Sequence, residues 1–305
     1  MVYLDDSIMK KGCLATAGSK MLENFIAPFD ATVVSRLDEN TESVKLAEFG
    51  LGDPGELPGS PMLCNDVFGH IRCRAVQQEL CYIRPTYGTV SRFGLVPAAS
   101  SMDQIGIVCK SPSEGFSLLS AIAGNDGKDG AMFPEKSFSY KAEKREIRRG
   151  TPLPSYSYAG VYRQVMDILC YAEISNNISR YDGIKYGYRA PHYRNLDDLY
   201  TKTRTEALGP DAKLAAIMGC LVLSQDHYGK YYEKAMKIRR LIKESLRFDE
   251  YDVIEMPADD PLAVLAGLPS LTFSRNGACV QLAADVKKEN VLFTAWEASN
   301  RESRS

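Results

Sequence analysis

The stretch from Leu63 to Gly130 constrains the fold more than any other part of the chain. Its centre is the run RPTYGTVSRFGLVPAASSMDQIG, from Arg84 to Gly106. A helix is predicted to follow from Pro112 to Gly124, because Ser111 is a favoured N-cap and glycine is common just past a helix end. The stretch therefore combines a long motif-like run with a well-delimited helix.

Reactive side chains cluster just upstream of that run. Cys64, His70 and Cys73 lie within ten residues, and Asp5 or Asp66 could complete a thiol–histidine pair or a metal site. The spacing C-x5-H-x2-C matches no standard zinc pattern, and no fourth ligand is evident. Nothing in the sequence fixes a thiol next to the imidazole. We therefore expect no metal and no cofactor, and we expect His70 to be a hydrogen-bonded residue that fills a pocket.

Composition excludes several classes of function. The chain has 305 residues, 45% of them hydrophobic, which is enough for a sizeable core. A formal net charge of -2 argues against direct nucleic-acid binding, which usually requires a concentrated basic surface. The eight cysteines form no C-x-x-C pair, so reduced thiols are expected. The start lacks a signal-peptide core, and no apolar run approaches the roughly 20 residues of a membrane helix. These features predict a cytoplasmic protein.

The run from Arg84 to Gly106 resembles the amidase signature family. Within it, the A subunit of glutamyl-tRNA(Gln)/aspartyl-tRNA(Asn) amidotransferase (GatA-like) carries K-P-T-Y-G-x-V-S-R-Y-G-L-x-x-x-A-S-S-L-D-Q-I-G. Weaker similarity extends over nearly the whole chain. The resemblance implies an α/β fold, a single domain over residues 1–305 with a mixed twisted sheet flanked by helices, and a helical subregion at about 160–247. The family activity would be glutamine amidohydrolysis that feeds tRNA-dependent amidation.

The resemblance implies that the residues of the family's Ser-cisSer-Lys triad are replaced or missing in this chain. The nucleophile turn S-D-T-G-G-S-I-R aligns with NDVFGHIR, which places His70 at the serine. Asp5 stands at the lysine, where a carboxylate cannot replace a neutral amine and the adjacent Asp6 adds repulsion. The Gly/Ser-rich run that supplies the cis-serine has no counterpart between Gly50 and Cys64, and the leading helices are absent. The resemblance therefore implies a truncated domain, smaller than the full family core.

Part of the family's substrate cleft is retained and part is lost. The family's arginine that pairs with the glutamine carboxylate aligns with Ala215. The aspartate that binds the glutamine amino group has no counterpart, because Val264 runs straight into Leu265. The residues predicted to line a vestigial cleft are Asp66, Gly69, Arg72, Arg180, Tyr181, Asp182 and Tyr186.

Local patterns add four predictions. A short strand is expected from Val2 to Leu4, and an amphipathic helix from Ser19 to Phe25, where apolar residues recur at helical spacing. Basic residues alternate with glutamates from Lys141 to Arg149, which predicts a solvated polar linker or helix face; the alternative is a local contact with RNA or an acidic partner. Trp296 is expected in the core, where the final helix packs on the sheet.

Three functions remain open from the sequence. The first is a catalytically inactive GatA-like paralogue, a pseudo-amidase that binds a GatB-like or GatC-like protein or a second copy of itself. The second is an amidase or amidotransferase-type hydrolase with chemistry rebuilt around His70, in combination with Cys64 or Cys73. The third is a small-molecule sensor that uses the vestigial cleft. The loss of every triad group favours the first, because nucleophilic catalysis needs an activated nucleophile and a base.

Overall fold

A mixed sheet runs through the part of the chain that the structure, a computed structural model, describes: residues 1–37, 40–150 and 159–302. Its nine strands are β1 (Val2–Asp5), β2 (Thr41–Val44), β3 (Met62–Asn65), β4 (Cys81–Arg84), β5 (Ile105–Cys109), β6 (Arg149–Gly150), β7 (Val253–Pro257), β8 (Ser270–Arg275) and β9 (Ala278–Ala284). Their spatial order is β2-β1-β3-β5-β4-β8-β9-β7-β6. The pairs β1–β2, β1–β3 and β6–β7 are parallel, and the other five are antiparallel.

Helices cover both faces of this sheet. They are α1 (Thr32–Ser35), α2 (His70–Gln77), α3 (Pro112–Ile122), α4 (Tyr162–Ile178), α5 (Leu196–Ala207), α6 (Pro210–Leu223), α7 (Tyr232–Glu244), α8 (Leu262–Ala266) and α9 (Glu289–Glu302). Single 3₁₀ turns occur at Lys20–Leu22, Glu48–Gly50 and Ala159–Val161. The expected α/β fold, a mixed sheet flanked by helices, is confirmed. None of the helices in the described ranges combines the length and the hydropathy needed to cross a bilayer.

The alternation of side chains along the central strands explains the two layers. Leu63, Ile83 and Ile107 point to the face covered by α3 and α9, where they share one apolar cluster with residues of both helices. Their neighbours Cys64 and Tyr82 point to the opposite face, beneath α2. Because successive residues of a strand face opposite sides, strands buried on both faces are apolar almost throughout.

The predicted helix from Ser19 to Phe25 is wrong in extent. The structure has only one 3₁₀ turn there, capped by the Ser19 hydroxyl, which accepts a hydrogen bond from the Met21 amide. Beyond it the chain reverses, and Ile26 forms a β-bridge with Leu14. Backbone pairing with an earlier segment has therefore overridden the local helical spacing.

Three other local predictions have clear outcomes. The strand at Val2 is present and extends to Asp5. The helix at Pro112 begins where predicted, with Ser111 Oγ accepting from the Glu114 amide at 3.3 Å, and ends at Ile122. Trp296 is only half-buried; it packs at the edge of the core, with its ring 6.2 Å from that of Phe293.

Two longer segments, 141–149 and about 160–247, also largely match what their sequences predict. The connection from 141 to 149 is mostly exposed and carries ion pairs, which agrees with a solvated polar segment. In the subregion at about 160–247, α4 to α7 account for most residues, and the stretch 179–195 is an irregular connection between α4 and α5.

Candidate functional site

Asp5 ends β1 beside the end of β3. Its carboxylate accepts hydrogen bonds from the amides of Ser7 at 3.1 Å and Asn65 at 3.5 Å. Burial raises the pKa of Asp5 to about 6, an effect that these hydrogen bonds oppose and the neighbouring Asp6 charge reinforces. Asp6 in turn accepts from Thr16 and Gly18, so both carboxylates are engaged by the surrounding chain.

A second buried carboxylate is linked to Asp5 through Asn65, which donates to both. Asp103 accepts from the side-chain amide of Asn65 at 2.8 Å and from the Ala98 and Ala99 amides at 3.0 Å. The space left among Asp5, its neighbours and Asn65 measures about 10 Å³. A volume of that size admits about one water molecule, so a substrate cannot reach Asp5 in this conformation.

The backbone amides at the N-terminus of α2 are already bound by a carboxylate of the same chain, that of Asp66. Gly69 caps the helix with φ 93°, and an added Cβ there would lie 2.7 Å from the Arg72 guanidinium. Asp66 accepts from the amides of Gly69, Ile71 and Arg72 at 3.0 to 3.2 Å. These are the amides that otherwise make a helix N-terminus a site for anions.

Arg72 completes this buried arrangement. Its guanidinium forms an ion pair with Asp66 at 3.2 Å, with both side chains at most 2% exposed. It also donates to the backbone oxygens of Ala258, at 2.7 Å, and Asp260, at 3.0 Å. The pair therefore joins α2 to the segment between β7 and α8.

His70, the first residue of α2, borders a separate cavity of about 360 Å³, which we call the His70 cavity. Its apolar walls come from Leu51, Phe68, Tyr171 and Leu214. The charged residues that line it are Arg163, Asp167 and Asp211.

The expected hydrogen bond to His70 is not found. The ring lies against Phe68, with centroids 6.1 Å apart. Its buried Nδ1 has no hydrogen-bond partner in the part of the chain that the structure describes. The imidazole therefore forms a wall of a cavity instead of filling a pocket.

The surroundings of the two nearby cysteines favour the protonated thiol. Cys64 lies buried in β3, and burial raises the pKa of its thiol well above the ordinary value, with Asp66 and Asp5 adding to the effect. Burial also raises the pKa of Cys73. Since the thiolate is the reactive form, neither environment activates the sulfur. Within the described ranges, no group of three or more His, Cys, Asp or Glu side chains is placed to hold a metal ion.

The other predicted cleft residues lie elsewhere. Arg180, Asp182 and Tyr186 line a cavity of about 640 Å³ that shares no lining residue with the His70 cavity. Tyr181 is buried and stacks on Phe49, with ring centroids 5.9 Å apart. Asp66, Gly69 and Arg72 therefore lie together at the start of α2, whereas Arg180, Asp182 and Tyr186 surround a separate cavity near the end of α4. Tyr181 lies between these regions, because its partner Phe49 also lines the small space beside Asp5.

Ala215 does not line the His70 cavity either. It is fully buried on the inner side of α6, and its neighbour Leu214 borders the cavity instead. The sequence reasoning missed Leu214, Asp167 and Asp211. The spacing of Asp167 and Tyr171 on α4, four residues apart, was the available signal that both face the same side.

Comparison with known proteins identifies the family. The family model described as amidase matches residues 62–153 and 151–300. This chain belongs to the amidase family. Among curated relatives of this amidase-family chain, the A subunit of glutamyl-tRNA(Gln) amidotransferase from Lachnoclostridium phytofermentans is 32% identical over a gapped alignment of 327 positions, which covers 84% of the chain and 66% of the relative. The protein of the same name from Nitrosomonas europaea is 32% identical over a gapped alignment of 361 positions, which covers 88% of the chain and 74% of the relative.

Solved structures agree with this assignment. The A subunit of glutamyl-tRNA(Gln) amidotransferase from Thermotoga maritima superposes with a TM-score of 0.66 at 26% identity, covering 96% of this amidase-family chain and 81% of that one. Native peptide amidase from Stenotrophomonas maltophilia gives 0.75 at 22% identity, covering 100% and 82%. The second likeness concerns the fold alone.

Proposed function

We propose that this amidase-family chain is catalytically inactive and acts as a protein-binding subunit, either with partners like those of an amidotransferase or as a homo-oligomer. The observation that carries the proposal is the surroundings of Asp5. At the position where the resemblance expects a lysine base, a buried carboxyl with a pKa of about 6 lies beside a space of about 10 Å³. That site offers neither an amine nor room for an amide substrate.

The residues that could replace the triad also support an inactive chain. His70 lies beside a cavity, but its Nδ1 has no hydrogen-bond partner among the described residues that could orient the ring as a base. The buried thiol of Cys64 has a strongly raised pKa. Neither residue is paired with the group that nucleophilic catalysis would need.

The relatives supply the reason to expect a protein partner. The curated proteins that the chain matches are named as one subunit of an amidotransferase, and a subunit is by name part of an assembly. A chain that keeps this fold without the chemistry can still present the fold's contact surfaces. We therefore expect a partner resembling the other subunits of such an enzyme, or a second copy.

Two measurements on the purified full chain test the proposal. Ammonia release from glutamine and asparagine should stay at the background level; the active control is the Lachnoclostridium phytofermentans relative, assembled with its own B and C subunits. Co-expression of the tagged chain with B and C subunits, followed by size-exclusion chromatography with light scattering, should yield a complex or a homo-oligomer.

A rebuilt hydrolase would behave differently. Ammonia release that is lost in His70→Ala, and kept in a variant changed at exposed Cys220, would show chemistry around the histidine and overturn the proposal. A monomer at micromolar concentration that forms no complex with either the B or the C subunit would also contradict it.

The His70 cavity favours one second candidate, a sensor of small molecules. A cavity of about 360 Å³ falls within the lower range of ligand sites. Glutamine, asparagine or a simple amide that raises the melting temperature without turnover would support this candidate, because a ligand that binds only the folded state stabilises it.

A further inference from the structure

The outer surface of α6 is apolar where a solvent-exposed helix is normally polar. From Leu214 to Leu223 the helix has ten consecutive residues without a charged side chain. Its inner side packs so tightly on α4 that a Cβ added to Gly219 would lie 2.2 Å from the backbone carbonyl oxygen of Tyr171. On the outer side Leu214, Ile217 and Leu221 form what we call the α6 stripe, with Ile217 67% exposed. Helices that are apolar all round are normally covered on every side.

The α6 stripe leads into the His70 cavity. Leu214 belongs to both, because it starts the stripe and forms one wall of the cavity together with Phe68 and Tyr171. An apolar row with an adjoining pocket is the geometry of an interface in which one side chain of the partner is an anchor. The pocket therefore adds a place where one side chain of a partner can be recognised next to the apolar row.

The charges around this pocket favour a cation. The guanidinium of Arg163 donates to the backbone oxygens of Phe68, at 3.3 Å, and Asp259, at 2.8 Å. Asp167 and Asp211 form no ion pair within the part of the chain that the structure describes. Among the described residues, the pocket therefore has two carboxylates without an ion pair, against one guanidinium that donates to carbonyl oxygens.

The N-termini of two helices that border the cavity, α2 and α6, already carry carboxylates. Asp66 accepts the amides at the start of α2, and Asp211 lies in the first turn of α6. A carboxylate in the first turn is stabilised by the helix dipole and cancels the attraction for an anionic ligand. Burial raises the pKa of Asp167, an effect that Arg163 only partly opposes, so a bound cation would favour its ionised form.

We propose that the α6 stripe and the His70 cavity form one docking surface for a segment of a partner protein that carries a lysine or arginine among apolar side chains. The apolar side chains cover Ile217 and Leu221, and the basic group enters the cavity beside Asp167 and Asp211. Charge complementarity selects this occupant, because neither a neutral nor an acidic segment would pair with the two carboxylates. The inference rests on the proposed protein-binding function and names the chemistry of the partner.

A displayed library of random 16-residue peptides, selected on the immobilised full chain, tests this surface. Enriched peptides should carry a lysine or arginine flanked by apolar residues. In fluorescence anisotropy, a labelled enriched peptide should bind at least about tenfold more weakly to Ile217→Glu and to Asp167→Asn than to the unchanged chain. The matched control is Met236→Glu on α7, where the methionine is 43% exposed; its binding should be unchanged.

Several outcomes would overturn the inference. Enrichment of acidic peptides, no enrichment, or equal binding to Ile217→Glu and the unchanged chain each contradicts it. A homodimer that Ile217→Glu dissociates would assign the surface to a second copy, and stabilisation by n-butylamine with no peptide binding would assign the cavity to a free amine. None of these results depends on ammonia release or on complex formation with B and C subunits, so the proposed function can fail or stand separately.

Discussion

Replacing Arg72 with methionine should destabilise the protein far more than the same change two residues later. Arg72 is 1% exposed, pairs with Asp66 at 3.2 Å, and donates to two further backbone oxygens. Removing one partner of a buried pair typically costs about 3 to 5 kcal/mol, because the other charge stays buried without compensation. Arg74, on the same helix as Arg72, is the matched control. It pairs with Asp53 at 2.9 Å, but the side chain of Arg74 is 34% exposed and that of Asp53 is 68% exposed. Exposed pairs contribute about 0 to 1 kcal/mol.

Urea unfolding followed by far-UV circular dichroism measures the difference. With an m value of about 3 kcal/mol/M, Arg72→Met should lower the midpoint by roughly 1 to 1.7 M, and Arg74→Met by at most roughly 0.3 M. The double variant Asp66→Asn/Arg72→Met should lose less than the sum of the single losses, since the two residues form one unit. Equal losses for Arg72→Met and Arg74→Met would refute the reasoning that burial gives this pair its importance.

Three further predictions concern titration, thiol access and backbone space. Burial raises the pKa of Asp5 from 3.8 to about 6. Its contribution to stability is therefore complete below pH 3.8 and lost as the pH rises through 6. When the free energy of unfolding is measured at a series of pH values, Asp5→Asn should not show this loss of about 3 kcal/mol. If the free energies of the variant and the unchanged chain depend on pH in the same way, Asp5 is not the group responsible. Iodoacetamide followed by peptide mass spectrometry should label exposed Cys220 quickly and buried Cys64 only after denaturation, and rapid labelling of Cys64 would show an accessible thiol. Gly94→Ala should cost about 1 to 3 kcal/mol more than Gly127→Ala: both glycines have positive φ, but only Gly94 has backbone within 2.4 Å of an added Cβ. Equal melting temperatures for these two variants would contradict the steric argument.

The features that were predictable from the sequence are local or carried by long motifs. Ser111 and Gly124 mark the ends of a helix by their own chemistry, and α3 forms where they indicate. The run from Arg84 to Gly106 is specific enough to give the family and hence the sheet with helices on both faces. Such signals predict structure correctly because they do not depend on how distant segments of the chain pack together.

The grouping of the cleft residues could not be predicted, because it depends on tertiary structure. Asp66 and Arg180 belong to one family cleft by resemblance, but here Arg180 lines the cavity near the end of α4, whereas Asp66 is buried against the start of α2. The segment from Ser19 shows the same limit, since a β-bridge between Leu14 and Ile26 replaces the helix that apolar spacing favoured. Asp167 and Asp211 become neighbours only through the packing of α6 on α4.

The retained and replaced residues differ in what they contact. Asp66 and Arg72, which the resemblance retains, bind helix amides and two backbone oxygens of a distant segment. A change at either position would leave buried polar groups unpaired, and this cost persists whether or not the protein catalyses a reaction. By the resemblance alone, Asp5 and His70 align with positions at which family residues act on substrate. Retention of Asp66 and Arg72 is therefore explained by stability and is no evidence for activity. The proposal of an inactive chain depends instead on Asp5 and His70, which is why the ammonia-release assay is its decisive test.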